Sequence, residues 1–266
     1  MARERLASKK QGRPVRGGRN RVRRPDASSP WAVVGATAKR RENIASDWGK
    51  VENGTMAIRL YCFGESGNAY KAALSLELAG LDWEPVFVDF FHSETRKPAF
   101  RALNPMGEVP VMVEDEIVLT QSGVIQDYVA ETSGKLGWKD AAERREILRW
   151  ILFDNHKNSG VAGPARFNMN FLPSYKRSDA VNAFLIARHT AAMTVLDRCL
   201  EGRDWLVGER PTIADIANCG YLFYEEPFGF DRKDFSNIDA WLDRIAALPG
   251  WKHPYELMPG SPADRA

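Results

Sequence analysis

The stretch CFGESGNAYK, residues 62–71, places a thiol, a hydroxyl and a side-chain amide close together. It lies between an apolar run and an amphipathic one, where a strand is predicted to meet a helix. The positive end of a helix favours a negative group, so Ser66 and Asn68 are candidate hydrogen-bond donors to an anion such as a thiolate. Cys62 lies inside the apolar run, where a buried thiol is usually inert, and catalysis by this thiol is the less favoured alternative.

The segments that follow Met56 alternate between strand and helix. AIRLYCF and EPVFVDF are predicted strands, and the helical repeat between them ends near Gly80. A short helix at PAFRAL, two strands at VPVMV and EIVL, and a helix at residues 122–132 come next. The side chains predicted to face one way on this last helix are Val124, Ile125, Tyr128 and Val129. This order indicates a parallel βαβ unit and an antiparallel hairpin, hence a compact four-stranded α/β domain.

The second half of the chain has helical patterns and no strand patterns. SGKLGWKD, residues 133–140, is a predicted linker. The predicted helices cover residues 140–158, about 178–201, 212–225 and 237–248, and the helical pattern is lost after Asn158. Thr212 and Asp215 have the spacing of a capping box, with an acid in place of the usual Glu or Gln. Together the two halves suggest a thioredoxin-like domain followed by an all-α domain.

Residues 1–55 carry the basic excess of the chain. They hold 14 Lys and Arg against 5 Asp and Glu, a charge of +9, so the other residues carry −7 of the total of +2. Few large apolar residues are present to offset the entropy of ordering, and we expect disorder. Three interpretations stay open: charge-driven binding to nucleic acid or an anionic surface, a targeting segment, and a dispensable segment upstream of a start at Met56. We favour the third, which makes nucleic acid an unlikely partner.

The remaining composition narrows the class of protein. The chain has 266 residues, of which 44% are hydrophobic, and no apolar run approaches the roughly 20 residues that span a bilayer. Cys62, Cys199 and Cys219 form no C-x-x-C pair, and the 4 histidines are scattered. We therefore expect no membrane partner, no disulfide framework and no metal, and a reducing cytoplasm as the location.

Four segments in chain order resemble a cytosolic glutathione S-transferase of the bacterial, serine-type or Nu-like kind: SGNAYKAALSLELAGL, NPMGEVPVM, TQSGVIQDYVAE and DWLVGERPTIADI. The resemblance covers residues 57–216, and residues 1–55 have no counterpart in it. The resemblance implies a thioredoxin-like glutathione-binding domain at residues 56–133 and an all-helical domain at residues 140–258. It also implies glutathione as co-substrate, a hydrophobic electrophile as second substrate, a role in detoxification and a homodimer.

The resemblance assigns parts of glutathione to particular residues. Ser66, with Asn68 beside it, would approach the sulfur and favour its thiolate. Val109 would pair through its backbone with the cysteinyl part, before a cis Pro110. Gln121 and Ser122, at a helix start, would meet the γ-glutamyl carboxylate.

Two features of the chain weaken the expected binding of the charged ends of glutathione. Many relatives have an acid where Gln121 stands, so the ammonium of the ligand lacks a counter-charge unless a partner subunit supplies one. The glycyl carboxylate needs a cation, for which Arg96 and Lys97 are candidates and His92 a weaker one. Glu108 occupies a position that is Lys or Gln in some relatives, and its charge would not help.

The electrophile is expected between the two domains, against the aromatic-rich segment at residues 150–171. The candidate side chains are Trp150, Phe153, His156, Arg166, Phe167 and Phe171, although most of the aromatic ones fit a core equally well. Tyr61 lies too early in its strand to reach the sulfur.

Two kinds of function compete. The first is an enzyme that transfers glutathione to an electrophile, or that uses glutathione to reduce a disulfide or a peroxide. The second is a non-enzymatic interaction module with the same fold. The complete set of Ser66, the Val109–Pro110 pair and the Gln121–Ser122 pair favours the enzyme, because a scaffold does not need these residues.

Overall fold

The computed structural model describes residues 57–260, and the tail at residues 1–55 for which we predict disorder lies outside them. The first half of the described chain contains β1 Ile58–Cys62, α1 Gly67–Ala79, β2 Trp83–Phe87, α2 Pro98–Leu103, β3 Val111–Glu114, β4 Ile117–Thr120 and α3 Ser122–Ser133. The second half contains α4 Ala141–Phe153, α5 Ser159–Arg166, α6 Asp179–Cys199, α7 Ile213–Cys219, α8 Ser236–Ala246 and α9 Pro254–Leu257. Short 3₁₀ turns cover Glu94–Arg96, Ser174–Lys176 and Arg232–Asp234.

The sheet has the order β2-β1-β3-β4. β1 pairs with β2 in parallel, and β3 pairs with β1 and β4 in antiparallel fashion. The predicted βαβ unit and hairpin are therefore confirmed. Followed by a half that contains only helices, this sheet gives the α/β thioredoxin-like plus all-α architecture expected from the sequence.

Strand alternation divides the sheet residues between two cores. Leu60 and Cys62 point into the main core with α1 and α3, whereas Tyr61 points to the opposite face. There Tyr61 packs with Phe100 of α2 and with Val111. The main core continues into the helical half, where α7 is buried along its whole length between α1, α3 and α4. The two domains thus share one packed interior.

The ends of α1 follow the sequence signals. The Ser66 hydroxyl caps the first turn, and Gly80 ends the helix in the left-handed region at φ 65°. Thr212 and Asp215 form the predicted capping box at the start of α7. On α3, the prediction for Val124 is wrong: this side chain is 37% exposed, while Ile125, Tyr128 and Val129 are buried.

Two turns of π-helix explain the wrong prediction that helical structure stops after Asn158. One turn, Asp154–Asn158, joins α4 to α5, and another, Phe167–Phe171, follows α5. A π turn adds a residue per turn and shifts the apolar stripe, so the 3.6-residue period disappears although the helix continues. The prediction at residues 212–225 is also too long, since α7 ends at Cys219, whereas α6 and α8 match their predicted ranges closely.

No helix within residues 57–260 is long and apolar enough to cross a membrane. The same residues contain no cluster of three or more His, Cys, Asp or Glu side chains arranged to hold a metal ion.

Candidate functional site

A cavity of about 580 Å³ opens between the sheet domain and the helical domain. Its volume falls in the range of small-ligand sites. Eight of the residues singled out in the sequence line it: Ser66, Asn68, Glu108, Val109, Gln121, Arg166, Phe167 and Phe171. They come from the start of α1, the loop before β3, the start of α3, the end of α5 and the turn after it, so the fold brings together segments that are distant in the chain.

Ser66 lies at the N-terminus of α1 and is 8% exposed. Its Oγ accepts a hydrogen bond from the backbone N–H of Ala69 at 3.2 Å. A hydroxyl can accept and donate at the same time, so this capping bond leaves the O–H of Ser66 available to donate into the cavity. The helix start adds positive potential at the same place.

Asn68 is half-buried in the first turn of α1 and also lines the cavity. Its Oδ1 accepts a hydrogen bond from Lys71 Nζ at 3.0 Å. Within the described part of the chain, no hydrogen bond engages its Nδ2. Ser66 and Asn68 therefore each retain a donor, two residues apart, at one helix start.

The loop before β3 presents Val109 to the cavity. The Val109–Pro110 peptide bond is cis, as the resemblance implies, and Pro110 is buried. Sequence reasoning missed Asn104, which is buried and organises this loop: its Nδ2 donates to the Glu108 carbonyl at 2.7 Å. The first residue of the NPMGEVPVM segment was the available signal, because a buried Asn can hold a loop through both ends of its amide.

Gln121 precedes α3 with an unusual backbone conformation, φ 69° and ψ 120°. A positive φ is strained for a residue with a side chain, and such outliers are often found at functional sites. Its side chain is exposed and contacts Met106 Sδ through Nε2 at 3.5 Å. Ser122 is the first residue of α3 and lines a neighbouring groove instead of the cavity.

The basic residues predicted for the glycyl carboxylate do not line the cavity. Arg96 and Lys97 are exposed around a 3₁₀ turn. His92 is exposed as well, and its Nδ1 lies 2.8 Å from a carboxylate oxygen of Asp89. The sequence carried no information on the direction of these side chains.

Three residues predicted for the second-substrate pocket lie elsewhere. Trp150 is 2% exposed in the main core, and its carbonyl accepts a hydrogen bond from Asn218 of α7. Phe153 packs edge-on against Trp150, and His156 is exposed on the first π turn. The helical period turns the first two toward the interior before the π turn begins.

A wall of five phenylalanines lines one side of the cavity: Phe63, Phe90, Phe91, Phe167 and Phe171. Phe63 stacks on Phe90 at 5.0 Å between ring centroids, and Phe91 meets Phe171 at 5.5 Å. Phe167 and Phe171 were candidates from the sequence, whereas the other three were missed. The FF pair at the end of the second predicted strand was a usable signal, because loops at strand ends often carry binding residues.

Arg166 lines the cavity but is only 2% exposed. Its Nη1 donates to the Glu65 carbonyl at 2.6 Å, and its Nη2 donates to Glu226 at 2.8 Å and to the Tyr255 hydroxyl at 2.7 Å. The guanidinium also lies 3.8 Å from the centroid of the Tyr224 ring. The charge of Arg166 is thus already engaged, and it holds the backbone just before Ser66.

Cys62 is fully buried, and burial raises the pKa of its thiol to about 12. A thiol with this pKa stays protonated at neutral pH, so it is a poor nucleophile. The structure therefore argues against catalysis by Cys62.

A second, largely apolar groove of about 540 Å³ runs between α3 and α4. Val124, Leu148 and Leu152 line it and are exposed large hydrophobic side chains. Gln121 and Asn155 line both the groove and the cavity, so the two are contiguous.

Comparison with known proteins gives matches in both halves of the chain. Residues 56–131 match the glutathione S-transferase N-terminal domain, and residues 175–249 match the glutathione S-transferase C-terminal domain. The glutathione S-transferase-like protein LUC7 of Fusarium sp is 31% identical over 195 residues, which cover 70% of this chain and 87% of that protein.

Solved structures agree with these matches. A glutathione S-transferase from Xanthobacter autotrophicus Py2 is 35% identical, with a TM-score of 0.70 over 76% of this chain and 98% of that one. A glutathione transferase from Burkholderia graminis, with two glutathione molecules bound per subunit, is 28% identical, with a TM-score of 0.69 over 78% of this chain and 90% of that one. Domain matches, sequence identity and architecture together show that this chain belongs to the cytosolic glutathione S-transferase family.

Proposed function

We propose that this protein is a glutathione transferase that activates the thiol of glutathione at Ser66 and Asn68. The observation that carries the proposal is the pair of available donors at the start of α1, both facing the interdomain cavity. Hydrogen bonds aimed at a sulfur stabilise the thiolate over the thiol. Each unit by which the thiol pKa falls needs about 1.4 kcal/mol, which one or two good donors can supply.

The surrounding residues support one placement of the ligand. The backbone of Val109 would pair with the cysteinyl part, and the start of α3 at Gln121 and Ser122 would receive the γ-glutamyl carboxylate. The glycyl carboxylate would meet Arg96 or Lys97 only after these exposed side chains reorient. Glu108 already lines the cavity and offers no favourable charge.

The reaction is a nucleophilic substitution or addition by sulfur. The thiol proton passes to solvent, the thiolate electron pair forms a bond to an electrophilic carbon, and a leaving group departs with its own electron pair in a substitution. The phenylalanine wall, residues Phe63, Phe90, Phe91, Phe167 and Phe171, would hold a hydrophobic electrophile beside the sulfur. No metal takes part in this scheme.

Glutathione-dependent reduction is a second candidate activity. The Burkholderia graminis relative binds two glutathione molecules per subunit. A second glutathione in the cavity of about 580 Å³ would allow exchange, in which two glutathione thiols are oxidised to one disulfide while a substrate disulfide is reduced to two thiols. Peroxide reduction would use the same two thiols.

The assembly expected for this function is a homodimer in the cytoplasm, with domains at residues 56–133 and 140–258. The exposed apolar side chains Val124, Leu148 and Leu152 line the groove between α3 and α4 and would be covered by a second copy. Because this groove adjoins Gln121, the partner could also supply the acid that Gln121 does not provide.

Binding and turnover test the proposal. The intact protein should be retained on immobilised glutathione, and Ser66→Ala should lower kcat/KM with 1-chloro-2,4-dinitrobenzene by about 10²-fold, as expected for the loss of a group that stabilises the reacting anion. Disulfide reduction measured in parallel distinguishes the two activities. Retention without turnover in either assay would indicate a binding module, and failure of the protein to bind glutathione would refute the proposal.

A further inference from the structure

A buried ion pair lies directly beneath Asn68. Lys71, one helical turn further along α1, has a side chain that is only 1% exposed, and its Nζ pairs with the Asp154 carboxylate. The same Nζ also contacts the Ser159 hydroxyl and donates to Asn68 Oδ1. Residues three apart on a helix lie on the same face, so the spacing of Asn68 and Lys71 makes this contact possible.

The chemistry of the ammonium group fixes which end of the Asn68 amide it meets. An ammonium has donors and no acceptor, so only the amide oxygen can face it. The two N–H bonds of Asn68 must then point away from Lys71. Because Asn68 lines the cavity, its Nδ2 is the group left to meet a ligand there.

Asp154 holds the ammonium in place from the helical domain. It lies in the first π turn, and its Oδ1 accepts from the Ser159 hydroxyl at 2.6 Å and from Asn158 Nδ2 at 3.3 Å. Burial raises the pKa of the Asp154 carboxyl, while the Lys71 ammonium and the Ser159 hydrogen bonds act in the opposite direction. The π turn therefore supplies the counter-ion of Lys71 across the domain boundary.

We propose that Lys71, anchored by Asp154, is a positioning residue that orients the Asn68 amide so that its N–H group donates to the thiolate of bound glutathione. This inference rests on the proposed function, since it assumes that Asn68 contacts the sulfur. Without the ammonium, the amide can rotate by half a turn and present its oxygen to the anionic sulfur, which is unfavourable.

The test measures the pKa of bound glutathione from its thiolate absorbance. The main variant is Lys71→Met combined with Asp154→Leu, which removes both charges together and leaves no unpaired buried ion. Asn68→Ala is the reference, and the triple variant combines all three changes. Ser75→Ala is the matched control, because Ser75 is buried one turn further along the same helix and bonds to the Lys71 carbonyl without touching Asn68.

We expect the Lys71→Met and Asp154→Leu pair to raise the thiol pKa about as much as Asn68→Ala, by about one unit, a tenfold smaller thiolate-to-thiol ratio. The triple variant should show no further rise in the thiol pKa. The charge-free pair and Asn68→Ala remove the same hydrogen bond, the one from Asn68 Nδ2 to the sulfur. The charge-free pair should bind S-methylglutathione, which has no ionisable thiol, with unchanged affinity. In Ser75→Ala, the thiol of bound glutathione should keep its wild-type pKa.

Two results would overturn the inference, and they are distinguishable. If Asn68→Ala raises the thiol pKa while the charge-free pair does not, Asn68 acts on the sulfur without help from Lys71, and the proposed function stands. If Asn68→Ala leaves the pKa unchanged, the assumed contact between Asn68 and the sulfur is absent, and the inference fails together with that part of the proposed function.

Discussion

Two buried cations contact the turn that carries Ser66 and Asn68, and they hold it in different ways. Lys71 contacts a side chain, the Asn68 amide, whereas Arg166 contacts the backbone, through the Glu65 carbonyl. Both are neutralised by carboxylates of the helical domain. Neither cation is therefore free to bind the carboxylates of glutathione, and both serve to shape the turn.

The surroundings of the two cations differ. The Lys71 pair lies in a network of hydroxyl and amide groups, and its Asp154 partner is 4% exposed. Arg166 lies on the Tyr224 ring, and its Glu226 partner is 20% exposed. Water can reach one partner of the second pair and neither partner of the first. The loss of one ion should therefore be more costly on the Lys71 side.

The largest effect is expected for Asp154→Ala. It leaves the Lys71 ammonium buried without a counter-ion, which should lower the free energy of unfolding by about 4 kcal/mol. Urea denaturation at pH 7 measures this change. The combined variant Lys71→Met and Asp154→Leu is the control and should recover most of the loss. If Asp154→Ala is as stable as the combined variant, the account of Lys71 and Asp154 as a buried ion pair is contradicted.

A smaller loss is expected for Arg166→Met, about 3 kcal/mol, because the exposed edge of Glu226 can regain water. The release of the Glu65 carbonyl should also weaken glutathione binding, measured by calorimetry. Arg166→Lys is the informative control: a lysine keeps the charge but cannot make the forked set of bonds to Glu65, Glu226 and Tyr255. Wild-type stability and binding in the lysine variant would show that charge alone suffices.

Between pH 7 and pH 5, a pH effect of about 1–2 kcal/mol on the free energy of unfolding is expected on the Lys71 side. His189 donates from Nε2 to Asn158, which in turn bonds to Asp154, and burial lowers the pKa of His189 to about 4 from 6.5. The unfolded chain therefore binds a proton more readily between these values. The contribution of neutral His189 to the free energy of unfolding is fully present above pH 6.5 and is lost as the pH falls toward 4.

The measurement for this effect is urea denaturation at pH 7 and pH 5. His189→Gln, which keeps a side-chain N–H donor without a group that titrates in this range, should show a smaller decrease between the two values than the wild type. An equal decrease in both proteins would contradict the role of His189.

The smallest effect is expected at a pair remote from the cavity. Arg210, whose side chain is 34% exposed, bonds to Glu143 and lowers the pKa of that carboxyl to about 2 from 4.5. Solvent screens this pair, so Arg210→Met should cost less than about 1 kcal/mol at pH 7. Because the pKa of Glu143 is lower in the folded state, the contribution of the Arg210–Glu143 pair to stability is present above pH 4.5. It is lost as the pH falls toward 2. Denaturation of both proteins at pH 7 and pH 3 checks this, and a larger loss at pH 3 than at pH 7 would contradict it.

Local signals made the sheet domain predictable. The capping hydroxyl of Ser66 and the C-terminal Gly80 act on their immediate neighbours, so sequence spacing was enough to place them. The charge network was not predictable in this way, because Lys71 and Asp154 are 83 residues apart and meet only after the domains pack. Trp150 shows the other difficulty: the aromatic content of a segment does not reveal which way a side chain points, and this one points into the core.

The central claim is that the turn at Ser66 and Asn68 stabilises the thiolate of glutathione. A pH titration of thiolate absorbance, for glutathione bound to the intact protein and to Ser66→Ala, tests it most directly. The account predicts that bound glutathione ionises at a pH clearly below its value in solution, and that Ser66→Ala moves the midpoint back by about one unit or more. If glutathione titrates with the same midpoint in solution, on the intact protein and on Ser66→Ala, the claim is contradicted.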